Sequence, residues 1–212
     1  MKNIFFYLLL TLHSLPQTYA GEVGFVEGSS WLIRGPELKK QISDLDDMGI
    51  KHVVIIKNQI KTEVDEEKLA LGLLKISYDH FSLQWRGDDL KASCHSILAA
   101  LSVLNKLAAK ETKTYLHCTA GEDRTGLVAA LWQVSQGRLT DEAWSKEMCA
   151  KGYAEGNPGK PQNVVDNIHQ HLTPLYWIIG KKLEQGQEFS NHFCESLNVV
   201  ELRKTYSEKK CR

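Results

Sequence analysis

A thiol and a guanidinium stand within one turn-rich run, His117-Cys118-Thr119-Ala120-Gly121-Glu122-Asp123-Arg124-Thr125-Gly126. Ionised, the thiol is a strong nucleophile. The guanidinium is a planar fork that fits two oxygens of a phosphate. The residues before the run, Lys113-Thr114-Tyr115-Leu116, have strand character, and the apolar Leu127-Val128-Ala129-Ala130-Leu131-Trp132 after it reads as a buried helix. Strand, short loop and helix together make a phosphate cradle. The N–H groups of residues 119–124 converge at the helix N-terminus, where the peptide dipoles favour an anion. At the mouth of that positive field, Cys118 is expected as a thiolate and Arg124 as the clamp on the phosphate oxygens.

A Cys and an Arg at this spacing are a weak signal alone in a chain with five cysteines. The His before the Cys, the Gly at the turn, the Thr after the Arg and the strand–loop–helix setting together outweigh the bland alternative, a buried strand-end cysteine beside a capping loop.

The run His-Cys-x-x-Gly-x-x-Arg-Thr resembles the active-site loop of the protein tyrosine phosphatase superfamily, and the resemblance covers most of residues 25–180. Trp31-Leu32-Ile33-Arg34-Gly35-Pro36 followed by Gly49-Ile50-Lys51-His52-Val53-Val54-Ile55-Ile56 is similar to the opening of the dual-specificity type. Ser77-Tyr78-Asp79-His80-Phe81 is similar to the general-acid loop of the tyrosine-phosphatase-like phytases. The resemblance implies an α/β fold with a central, mostly parallel sheet flanked by helices. It also implies hydrolysis of phosphomonoesters through a cysteinyl-phosphate, with no cofactor and no metal. Cys118 attacks phosphorus. Arg124 and the N–H groups of Thr119, Ala120, Gly121, Glu122, Asp123 and Arg124 hold the equatorial oxygens. Thr125 supports the thiolate and His117 orients the loop. Asp79, expected on a loop after a strand, protonates the leaving group and returns as base, and His80 contacts the substrate. Asp88 and Asp89 compete for the acid role, although both also suit the N-terminal cap of a following helix.

The substrate class is read from charge. Net charge is zero, so there is no global basic field and little support for nucleic-acid binding. Arg34, Lys57, Arg86 and Lys160 are expected in loops at the rim of the pocket. With the Asp-His pair they favour inositol polyphosphates, as in the phytases. Glu122 and Asp123 oppose that reading if their carboxylates face the pocket. A protein tyrosine or dual-specificity phosphatase is the alternative, and a phosphate-binding module without turnover is a third reading. The partner is thus a phosphorylated small molecule or a phosphoprotein.

The first twenty residues read as a secretory signal peptide. Lys2 begins them, Ile4–Leu12 is an apolar core too short to span a bilayer, Pro16 breaks it, and Thr18-Tyr19-Ala20 offers a cleavage site. Residues 21–212 then form a single domain, exported to a bacterial periplasm or secreted. No later stretch is apolar enough to span a membrane. Export permits disulfides among Cys94, Cys149, Cys194 and Cys211. A Cys194–Cys211 staple of the polar C-terminal segment is one option. Four free thiols are the other, favoured at Cys94 by its place on a helix face.

Alternating elements position these groups. Leu38, Ile42, Leu45 and Met48 mark a helix face, Val53–Ile56 a strand buried on both sides, Asp65–Leu71 a short helix and Leu73–Ser77 a strand. Leu90 to Ala108 is a long amphipathic helix, and Tyr115–His117 is the central strand. Thr140 and Asp141 open a helix carrying Trp144 and Met148. Val165 to Ile179 mark another helix, with Pro174 expected to kink it, and a last helix carries Phe189, Phe193, Leu197 and Val200.

Overall fold

The computed structural model describes residues 21–190 and 192–211; the segment read as a signal peptide lies outside them. Five strands form one sheet in the order β1-β2-β5-β3-β4. They are β1 (Gly24–Phe25), β2 (Leu32–Pro36), β3 (His52–Ile56), β4 (Ser77–Phe81) and β5 (Thr114–Cys118). All neighbours pair in parallel except the short edge strand β1. The Val-Val-Ile-Ile run of β3 is buried throughout, as a central parallel strand covered on both faces requires.

Two apolar clusters cover the two faces. The smaller joins Ile33, Val53, Ile55 and Tyr115 to Leu45 and Leu71, residues of α1 (Asp44–Asp47) and α2 (Glu63–Leu73). The larger joins α3 (Leu90–Ala108), α4 (Asp123–Ser135) and α6 (Gln162–Glu184) around Leu32, Val54 and Leu116. Helix α4 is buried from Arg124 to Val134 on every side, so it runs through the centre. Between it and α6 lie α5 (Thr140–Ala143) and a π-helical turn, Trp144–Met148. Among the described residues no helix is long and apolar enough to cross a membrane.

Four expectations are corrected. Helix α2 extends to Leu73, Lys75 turns the chain at φ +57°, and the strand runs over Ser77–Phe81 rather than Leu73–Ser77. Asp79 and His80 therefore lie inside a strand, not on a loop after one. Helix α6 runs on through Pro174. Proline cannot donate to the carbonyl four residues back, and that carbonyl, on Gln170, accepts instead from Arg203 Nε at 3.1 Å. The last helix, α7 (Val199–Tyr206), begins ten residues later than Phe189, and Phe193 and Leu197 pack on the core from the irregular segment before it. The cysteines pair as Cys94–Cys194 and Cys149–Cys211, not as Cys194–Cys211. Each bond ties the C-terminal segment to the domain across a long stretch of chain. Cys118 is the free cysteine.

Candidate active site

The loop 118–124 leaves the C-terminal end of β5 and enters α4. Its shape depends on Gly121, whose φ is +74° and whose hydrogen atom faces the Gly35–Pro36 backbone so closely that any Cβ would collide with it. Behind the loop sits Arg34 of β2, 2% exposed. Its Nη2 donates to the carbonyls of Gly121 (2.5 Å) and Glu122 (3.3 Å), and its Nη1 to the backbone carbonyl (2.9 Å) and carboxylate (2.6 Å) of Glu147. Glu147 lies in the π-helical turn, which presents both its groups to one guanidinium.

This arrangement gives a first prediction. Arg34→Met strands the Glu147 carboxylate and two loop carbonyls in the interior. Lys151 still reaches Glu147 at 2.7 Å, so part of the charge stays paired. The loss is expected at about 3–5 kcal/mol, the scale for breaking a buried ion pair, as read by urea unfolding. The double variant Arg34→Met/Glu147→Leu should recover much of it.

Cys118 is 2% exposed at the base of the loop. Burial alone pushes its thiol up. The charge of Arg124 and hydrogen bonding from the Thr125 hydroxyl and N–H outweigh burial, so the pKa lies below that of an ordinary cysteine; Asp123 opposes them weakly. The Thr125 hydroxyl is buried and finds no other partner among the described residues, which leaves it for the sulfur. Arg124 is aligned by the Leu83 carbonyl and Thr119 Oγ1, both at 3.3 Å. His117 is buried beneath the loop, its Nδ1 donating to the Cys118 carbonyl at 3.3 Å.

The acidic residues of the loop face away from the thiol. Glu122 accepts from Asn157 Nδ2 at 3.0 and 3.2 Å and pairs with Lys160 at 3.0 Å. Asp123 accepts from the Ala154 N–H at 2.9 Å and pairs with Lys160 at 2.6 Å. Their repulsion of a polyanion, expected if they lined the pocket, is neutralised at Lys160.

The structure does not bring Asp79 and His80 to the loop. Asp79 stands level with Val54 and Leu116, and its carboxylate turns back to His52 Nε2 at 3.0 Å, toward the start of the strands. His80 is occupied by the Lys57 carbonyl, to which its Nε2 donates at 2.7 Å. Instead, the segment 82–89 after β4 lies beside the phosphate cradle, since its Leu83 carbonyl touches Arg124. That segment carries Asp88 and Asp89. Asp89 caps α3 by accepting from the Ala92 N–H at 2.8 Å. Asp88 is 97% exposed, with Oδ1 at 3.2 Å from Arg203. The rim expectation fails for three of its four basic residues. Arg34 is buried at Glu147, Lys57 at Glu37 and Glu67, and Lys160 at Glu122 and Asp123; Arg86 remains exposed.

Comparison with known proteins agrees with the geometry. The profile of the Tyrosine phosphatase family matches residues 40–142, a span that includes Cys118 and Arg124. No curated protein matches the chain. Among solved structures, PTPMT1 superposes with a TM-score of 0.52 at 15% identity, covering 78% of this chain and 98% of its own. A mutant form of Tk-PTP gives 0.53 at 18% identity, covering 77% and 95%. The core catalytic domain of the PP-IP phosphatase SIW14 from S. cerevisiae gives 0.50 at 15%, covering 69% and 82%. At these identities the likeness is one of fold. A buried, acidified thiol under an arginine clamp, within the span similar to the Tyrosine phosphatase family and on this sheet, is the arrangement of a cysteine-dependent phosphatase.

Proposed function

We propose that this phosphatase acts on singly phosphorylated substrates of the phosphotyrosine type rather than on inositol polyphosphates. One observation carries this reading. Arg34, Lys57 and Lys160, the cations that a polyanion would need at the mouth, are each buried against carboxylates, with side chains about 2%, 1% and 8% exposed. A single phosphate dianion is already matched by Arg124 and the loop N–H groups. Further phosphates on an inositol ring would meet Arg86 and little else of the expected set. The segment 82–89 also offers the half-buried Trp85, whose ring carries the Arg86 guanidinium at 5.1 Å, as a flat surface for an aryl group.

Cys118 attacks phosphorus in line, and the bond to the leaving oxygen breaks as the S–P bond forms. The charge on the equatorial oxygens is met by Arg124 and the loop N–H groups, fixed before substrate arrives. Asp88 is the general acid in this reading. Its Oδ2 is unpartnered among the described residues, and its Oδ1 contact with Arg203 is exposed and weak, so it can be exchanged for the leaving-group oxygen. The carboxylate then activates water on the phosphocysteine.

The test is kcat/KM on a phosphotyrosine peptide and on inositol hexakisphosphate at matched ionic strength. At least tenfold preference for the peptide is expected, about 1.4 kcal/mol of transition-state discrimination. A preference for the inositol substrate would restore the phytase-like reading.

A further inference from the structure

We propose that Glu67, on α2, is a positioning residue for the nucleophile, acting through His117 at the head of a buried chain of charges. Four charged or titratable side chains lie in a row beneath the catalytic loop, each from a different element. Glu37 follows β2, Lys57 follows β3, Glu67 is on α2, and His117 is on β5 next to Cys118. Lys57 Nζ is 2.5 Å from Glu37 and 3.3 Å from Glu67. Glu67 Oε1 is 2.8 Å from His117 Nε2. All four side chains are more than nine-tenths buried. Burying four such groups is costly, and a plain apolar contact between α2 and the sheet would serve stability as well. The row needs a further reason, and its two ends supply it.

At one end, the Glu37 N–H donates to the Thr119 carbonyl of the loop at 3.3 Å. At the other, His117 Nδ1 donates to the Cys118 carbonyl. Both ring nitrogens of His117 therefore face acceptors. Glu67 fixes the ring plane, and with it the Nδ1 contact to the Cys118 backbone, one residue from the thiolate. Burial raises the Glu67 carboxyl, but His117 and Lys57 outweigh it and keep it below the usual range, so Glu67 is an anion that accepts from the ring and from Lys57. The other titratable groups about the thiol are Arg124 and Asp123 on α4 and the Tyr115 phenol. The phenol donates to the Pro36 carbonyl and is pushed up by burial, so it stays neutral. The thiolate is thus held by Arg124 and Thr125 on the α4 side and by the backbone that His117 fixes beneath the loop, and only the latter depends on Glu67.

The inference rests on the cysteine chemistry, not on the substrate class, and its test does not depend on the substrate. Since Cys118 is the free cysteine, iodoacetamide alkylation followed against pH reads its ionisation directly. Glu67→Gln should move the midpoint up by about one pH unit, a tenfold loss of thiolate below it. It should lower kcat/KM for p-nitrophenyl phosphate about tenfold at pH 6 and less at pH 8. Glu67→Asp keeps the charge and shortens the reach; it should shift the midpoint the same way by less, and it reads the effect if the Gln variant unfolds. The double variant Glu67→Gln/His117→Asn should be no worse than His117→Asn alone. An unchanged midpoint in both Glu67 variants, or additive effects in the double variant, would reduce Glu67 to a structural ion pair. A parent protein that alkylates with a depressed midpoint yet hydrolyses no phosphate would instead count against the enzyme, leaving the positioning role intact.

Discussion

Cys118→Ser should abolish turnover and spare phosphate binding. A serine hydroxyl does not ionise under the field that acidifies Cys118, so the in-line attack loses its nucleophile. The drop in kcat is expected at ~10⁴–10⁶, the scale found when a covalent nucleophile is removed. The anion site does not use the sulfur's charge to bind. Arg124 keeps its alignment at Leu83 and Thr119, and the loop keeps its Arg34 brace and its Gly121 turn. Calorimetric titration with inorganic phosphate should therefore find binding in the variant, tighter than in the parent because a thiolate no longer repels the dianion. Vanadate should inhibit the parent, and chelators should leave its rate unchanged, since thiolate attack requires no Lewis acid. Activity within tenfold of the parent would sink the cysteine mechanism. Absence of turnover in the parent, on any small aryl phosphate, would leave a phosphate-binding module in its place.

The catalytic loop is legible in the sequence because its chemistry is contiguous. Thiol, turn, helix N-terminus and guanidinium follow one another along the chain, and local geometry alone brings them together. Elements with a strong period are legible too. The long helix from Leu90 to Ala108 and the buried run of β3 fall where spacing puts them. What fails depends on distance through space. Arg34 meets Glu147 across a sequence separation of 113, and Lys160 meets Asp123 across 37. A lone basic residue in a sequence looks solvated, and nothing local shows that a carboxylate waits for it in the core.

The placement of Asp79 on a loop fails for a different reason. Strand β4 is at the sheet edge and only partly covered, so its Ser-Tyr-Asp-His-Phe run lacks the alternation that marks a strand. The apolar Leu73-Leu74 just before it looks more like one. A shift of the strand toward that pair moves Asp79 from the middle of a strand to a loop that does not exist. The disulfides show the same limit. Cys94 does lie on a buried helix face, but its burial is against Cys194. Spacing along a helix says which face is covered, not by what.

The placement of β4 bears most on the general acid, and three substitutions to asparagine separate the candidates. Asp88→Asn should lower kcat/KM for alkyl phosphates by ~10²–10⁴, the usual contribution of general acid catalysis. With p-nitrophenyl phosphate the loss should be far smaller, because that leaving group departs without a proton. Using kcat/KM confines the comparison to steps up to P–O cleavage, so the base role in the second step does not blur it. Asp89→Asn should leave both substrates near the parent, since asparagine caps a helix as well as aspartate does and Asp89 is engaged by the Ala92 N–H. Asp79→Asn should also leave the ratio between substrates unchanged. Its carboxylate serves His52, whose pKa is lowered by burial and only partly restored by Asp79, so the change touches a pair at the start of the strands, away from the loop. A leaving-group-dependent loss in Asp79→Asn, with Asp88→Asn unaffected, would return the acid role to Asp79 and require β4 to rearrange when substrate binds.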